Sequence, residues 1–133
     1  MKHIKKLLIL GFHSANLILI IFYLYPGSIL GCYLYNDCYR ELQITRNFII
    51  SSNYLISSNH LYAFIILSAA GVFAYPSLNT VKFLIGYLFL LSIILEVLHI
   101  IIPSRMFQWS DFFGNILGII FVIIIYKVKD KYV

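Results

Sequence analysis

The sequence predicts an all-α integral membrane protein, a small bundle of about four transmembrane helices with a short interfacial hairpin between the third and fourth. Three observations predict it. Of 133 residues, 62% are hydrophobic and 11% charged, against roughly 25% charged in ordinary globular chains. The apolar residues are gathered in runs long enough, or nearly so, to cross about 30 Å of hydrocarbon, for which roughly 20 residues are needed. The few charges stand at the ends of those runs. A chain this short makes one domain, residues 1–133, stabilised by packing and polar contacts between helices, because lipid tails leave no hydrophobic drive for helix association.

The first helix, 4–25, follows the basic start "MKHIKK" and ends at Pro26-Gly27. It reads as a retained helix rather than a cleaved signal peptide: the run is long, His13, Ser14 and Asn16 interrupt it, and no small-x-small site follows. The second, 60–75, is short and stops at Pro76, whose ring removes a backbone donor and disfavours helix in the preceding residue. The third, 80–102, stops at Pro103, and the fourth, 112–126, runs into "KVKDKYV". The connection 26–59 is too polar to span and carries Tyr33, Tyr35, Tyr39, Phe48 and Tyr54, aromatic residues suited to a membrane interface. An interfacial helix over 39–49 and a strand in "LQITRNFII" both remain open there, since periodicity does not decide between them.

Lys2, Lys5, Lys6, Lys82, Lys127, Lys129 and Lys131 fall on one side of such a bundle, and Arg40, Arg46 and Arg105 on the other. The positive-inside rule then makes both termini cytoplasmic in the cell membrane. The net charge of +5 is dispersed at membrane boundaries, where it meets anionic lipid, so nucleic acid is not an expected partner. Cys32 and Cys38 lie on the outer side. A disulfide and two free thiols both remain open, because spacing alone does not set the Cα separation a bridge requires. No cofactor or metal is expected, as two Cys without a suitably spaced His pair are a poor zinc site.

The stretch "EVLHIIIPSRMFQWSDFFGNILG" concentrates the remaining polar chemistry. Glu96 stands about six residues, ~9 Å, below the outer end of the third helix. Ser92, Glu96 and His99 share one face of it. On the fourth helix Asp111, Gly114, Asn115 and Gly118 share a face, Ser110 or Asp111 can cap the first turn, and the glycines permit close backbone approach. The two stripes are expected to face each other. Between them "PSRMFQWS" forms a hairpin that turns Arg105 back towards Glu96 or Asp111. With His60 at the outer start of the second helix, His60, Glu96, His99, Arg105, Asp111 and Asn115 converge on one outer-leaflet site.

Glu96, the polar residue at 99, Pro103, Arg105, Asp111, Asn115 and Gly118 together resemble the signature of the VanZ-like membrane protein family. The resemblance spans residues 57–126. Where the family usually has Gln this chain has His99, and Val122 stands where a further Gly is common. Of the family's upstream Asp-Lys and His-Phe motif only His60 is matched. The resemblance implies a small multi-helix membrane protein of the cell envelope, linked to resistance against glycopeptide antibiotics.

Two functional readings are carried forward. In one, the cluster binds or handles an envelope amphiphile: Arg105 forks a phosphate or carboxylate, His60 and His99 donate, and Phe107 and Trp109 lie against the lipid chain. In the other, Glu96 with Arg105 and Asp111 with Asn115 form a structural clasp in a non-catalytic scaffold or accessory subunit of a membrane-protein partner, each hydrogen bond contributing about 0.6 kcal/mol. For an enzyme, Glu96 and His99 offer a base and an acid but no nucleophile accompanies them. A zinc set of His60, Glu96 and His99 is divided between two helices. A proton path through the same three residues lacks a continuation to the inner side.

Overall fold

The computed structural model describes residues 2–40 and 55–132. Among these the chain is wholly helical: α1 (Lys2–Leu24), α2 (Ile29–Tyr35), α3 (Ser58–Ala74), α4 (Leu78–Leu98) and α5 (Trp109–Tyr132), with no strand. Most of the 39–49 segment, where helix and strand were both open, lies outside the described residues.

Helix boundaries follow local chemistry. α1 ends before Pro26-Gly27, and Gly27 adopts φ +91°, a conformation that side chains rarely accept. A Cβ there would stand 2.6 Å from the Cys38 carbonyl oxygen. Ser28 then caps α2, its hydroxyl accepting from the Gly31 N–H at 3.0 Å. This helix of about two turns has no amphipathic run long enough to announce it in sequence. It ends at Asn36 in the left-handed region (φ 55°), and a Cys32–Cys38 disulfide closes the loop behind it, with Cα atoms 4.0 Å apart.

α3 stops one residue short of Tyr75-Pro76, and Ser77 caps α4 by accepting from Thr80 N–H at 3.4 Å. α4 ends at Leu98, not at 102: His99, Ile100 and Ile101 donate to carbonyls three residues back, which tightens the chain into turns before Pro103. Ser104 has φ 64° and residues 105–108 have no regular secondary structure, so the connection to α5 is a folded turn rather than a regular hairpin. α5 begins at Trp109, three residues before 112, and incorporates the lysine-rich end.

The long helices run up and down. α3 lies against α5 along its length, and α1 and α4 flank that pair. Gly114 and Gly118 make the α3–α5 approach possible. Side chains at these positions would drive a Cβ to 2.6 Å from the Ser57 and Leu61 carbonyl oxygens respectively. The glycines therefore face α3, not α4 as the opposed-stripe expectation had them. Phe12, Leu19, Phe64, Leu67, Leu88, Leu91, Leu95 and Ile119 fill the buried core.

α1, α4 and α5 are long and apolar enough to cross a membrane, and α3, with 17 residues, is a shorter apolar helix. Their outward faces are apolar too: Leu7, Leu10, Leu17, Phe83, Leu90 and Phe121 are all exposed. Only 11% of the apolar window of α1 is buried within the protein. Two polar contacts attach this peripheral helix at mid-length, His13 Nε2 with Tyr75 OH at 2.8 Å and Asn16 Nδ2 donating to Tyr87 OH on α4.

The glycine contacts predict that Gly118→Ala lowers unfolding free energy by about 1–3 kcal/mol through overpacking. Gly86→Ala, where the added Cβ meets nothing within 4 Å, should leave stability unchanged or raise it by up to roughly 1 kcal/mol. Thermal unfolding of the detergent-solubilised protein, followed by circular dichroism, compares the two.

Candidate functional site

Because the helices alternate in direction, the end of α1, the start of α3, the end of α4 and the start of α5 meet at one end of the bundle. Each contributes a polar side chain: Tyr23, His60, Glu96 with His99, and Asp111 with Asn115. Glu96, Asn115 and Ser92 are wholly buried, His99 is 1% exposed and Asp111 9%. His60 retains 14% side-chain exposure, and Arg105 in the α4–α5 connection is half-buried. The six residues singled out from sequence thus occupy one end of the fold.

Their partners differ from the expected ones. Glu96 Oε1 accepts the Gln108 backbone N–H at 2.9 Å and faces His99 Nδ1 at 3.4 Å. His99 Nε2 lies 2.9 Å from the Tyr23 carbonyl oxygen. A carbonyl only accepts, so Nε2 carries a proton, and Nδ1 is the ring atom that Glu96 addresses. The Tyr23 hydroxyl in turn donates to Asn115 Oδ1 at 2.8 Å, and the ring packs on both imidazoles, with centroids 4.7 Å from His60 and 6.0 Å from His99. His60 Nε2 stands 3.5 Å from Asp111 Oδ2.

Arg105 was expected to turn back to Glu96 or Asp111. Two of its hydrogen bonds run instead to the C-terminal end of α1 and the residue just beyond it: Nε donates to the Tyr25 carbonyl at 3.3 Å and Nη2 to that of Phe22 at 3.2 Å. The last carbonyls of a helix have no intrahelical donor, and a cation complements the negative end of the helix dipole, so this is a favourable place for a guanidinium. Asn115 likewise serves Tyr23 on α1 rather than Asp111. Asp111 sits inside the first turn of α5 instead of capping it, where its charge complements the opposite dipole. Met106 and Trp109 project outward, 73% and 65% exposed.

Two participants escaped sequence reasoning. Tyr23 lies inside the first apolar run and was not singled out, although its spacing from Phe12 and Leu19 puts it on the buried face of α1. Gln108 acts through its backbone N–H, which no side-chain pattern signals. The structure also joins Cys32 and Cys38, and their helix α2 lies over the site: Ser28, Ile29 and Leu30 form one wall of a cleft of about 160 Å³. The other lining residues include Phe22, Tyr23, Ala63, His60, His99 and Arg105, and among the described residues no Asp or Glu lines it. Below the cleft, His60, Glu96 and Asp111 each offer one ligand-type atom, all within 4.8 Å of one another.

A double-mutant cycle on Tyr23→Phe and Asn115→Leu is expected to give a coupling of roughly 0.6–1.7 kcal/mol, the range for hydrogen bonds between helices in lipid. Unfolding in detergent or mixed micelles measures it, and additive effects would mean that the hydroxyl and amide do not depend on each other. Comparison of the chain with protein-family models, curated proteins and solved structures gives no match, so the reading of the site rests on its own chemistry.

Proposed function

We propose that the protein is a VanZ-like integral membrane protein of the cell envelope that binds or handles an anionic amphiphile at the outer-leaflet end of its helix bundle. The observation that carries the reading is the cleft. Among the described residues its ionisable lining is Tyr23, His60, His99 and Arg105, without a carboxylate, and the rest of its lining includes Phe22, Ile29, Leu30 and Ala63. Cationic and hydrogen-bonding groups beside aliphatic surface suit a phosphate or carboxylate headgroup whose chain leaves along apolar helices.

Membrane insertion is supported by the outward apolar faces. Contiguous exposed apolar surface on this scale is rare on water-soluble monomers and ordinary in lipid. In that placement α1, α4 and α5 cross the bilayer, with α3 as a shorter fourth span. Lys5, Lys6, Lys82, Lys127 and Lys129 lie towards the end away from the cleft, and Arg105 lies beside it. The positive-inside rule then puts both termini in the cytoplasm and the cleft outside, where the Cys32–Cys38 disulfide meets an oxidising compartment.

A second reading, a non-catalytic scaffold with a structural polar clasp, is favoured by the Tyr23–Asn115, His99–Tyr23 and Gln108–Glu96 hydrogen bonds, each of which ties one chain segment to another. Native mass spectra of the protein extracted from its own membranes separate the two. The headgroup reading expects a defined anionic adduct on the wild type that Arg105→Gln depletes at least about tenfold, the loss of one charge-assisted hydrogen bond, while helix content holds. A wild type without an adduct, or an adduct indifferent to Arg105, leaves the clasp.

A further inference from the structure

We propose that His60, Glu96 and Asp111 form a binding site for a single Zn²⁺ or a chemically similar divalent first-row cation. The three residues come from α3, α4 and α5, and only the tertiary fold assembles them. Their candidate donor atoms all lie within 4.8 Å of one another. One imidazole nitrogen and two carboxylate oxygens suit borderline divalent transition metals.

Two further observations point to a cation. The first is Glu96. Its Oε1 is held by the Gln108 N–H and His99, while Oε2, in a side chain with no exposure, has no hydrogen-bond partner among the described residues. A buried carboxylate oxygen left without a donor is costly unless a charge meets it. Fixing one oxygen of a carboxylate through outer partners and offering the other is how metal sites orient their ligands. The second is the spacing of His60 and Asp111. Their 3.5 Å separation is long for a charge-assisted hydrogen bond, which runs about 2.7–2.9 Å. It matches neighbouring ligands on a tetrahedral ion, which bonds of ~2.0–2.2 Å place roughly 3.3–3.6 Å apart.

This set differs from a zinc set of His60, Glu96 and His99. His99 Nε2 is committed to the Tyr23 carbonyl and Nδ1 addresses Glu96, so His99 supports a ligand and Asp111 takes its place. Three protein ligands leave a coordination position open. His60 lies in the cleft wall, so that position is within reach of an anionic oxygen of a headgroup held there. This last extension rests on the headgroup reading; the metal site itself does not.

The test is calorimetric titration of the metal-stripped, full-length protein in detergent with Zn²⁺ alone. About one equivalent should bind to the wild type, and His60→Gln and Asp111→Asn should each weaken binding at least roughly tenfold while helix content is retained. His60→Gln is the safer variant, since that side chain is the least buried of the three. Zn²⁺ should also raise the unfolding temperature of the wild type and leave that of His60→Gln unmoved, and Co²⁺ in its place should give the visible absorption of a tetrahedral ion. A wild type that takes up no Zn²⁺, or uptake equal in both variants, as from His3 or His13, overturns the site. Zn²⁺ binding by a protein that carries no amphiphile adduct upholds the metal site and rejects the headgroup.

Discussion

Glu96 is a carboxylate without access to solvent, and the geometry of this end of the bundle is arranged around satisfying it. Removing an ion from water carries a penalty of several kcal/mol, recovered only through hydrogen bonds and opposite charge of good geometry. The end of α4 and the α4–α5 connection supply polar partners to one of its two oxygens. His99, one helical turn on from Glu96, stands beside Oε1, and the connection then folds back to bring the Gln108 N–H onto the same oxygen. A longer α4 would keep His99 on the face of Glu96 but carry Gln108 away. The early end of that helix is thus a condition for burying the charge.

From Glu96 the constraint passes to α1. His99, held by the carboxylate, reaches the Tyr23 carbonyl, and the Tyr23 hydroxyl reaches Asn115 on α5. Arg105 adds two hydrogen bonds to the last turn of α1. These matter more for α1 than for its neighbours, because so little of its surface is buried within the protein. In the proposed bilayer lipid replaces water around that surface, and area burial ceases to hold the helix in place. What remains is close packing of Phe12, Leu19 and Tyr23 together with polar contacts at His13, Asn16 and Tyr23. The α3–α5 pair solves the same problem differently, by removing side chains at Gly114 and Gly118 so that backbones meet.

The two layers of this end then have separate chemistry. The deeper layer holds both carboxylates and leaves Glu96 Oε2 without a hydrogen-bond partner among the described residues, whereas the lining of the cleft above it includes His60, His99, Tyr23 and Arg105. His60 belongs to both, facing Asp111 on one side and the cleft on the other. A cation below and an anionic headgroup above would each complement the charge of its own layer. α2, fixed by its disulfide and its Ser28 cap, closes the cleft laterally.

Composition, apolar runs and proline stops determined the helical class, the alternation of the long helices and the residues that gather at one end, because hydropathy and backbone chemistry are local properties of a chain. Periodicity likewise set Ser92, Glu96 and His99 on one face of the third apolar run. Partner choice was decided by tertiary structure alone. Arg105 serves the carbonyls of α1, more than 70 residues earlier, in place of a neighbouring carboxylate, and the Gly114–Gly118 face meets α3 rather than α4. Helix spacing fixes which side chains share a face; rotation and packing of whole helices fix what that face meets. The Cys32–Cys38 bridge, the seven-residue α2 and the grouping of His60, Glu96 and Asp111 depend on distances across the fold, which no residue spacing encodes.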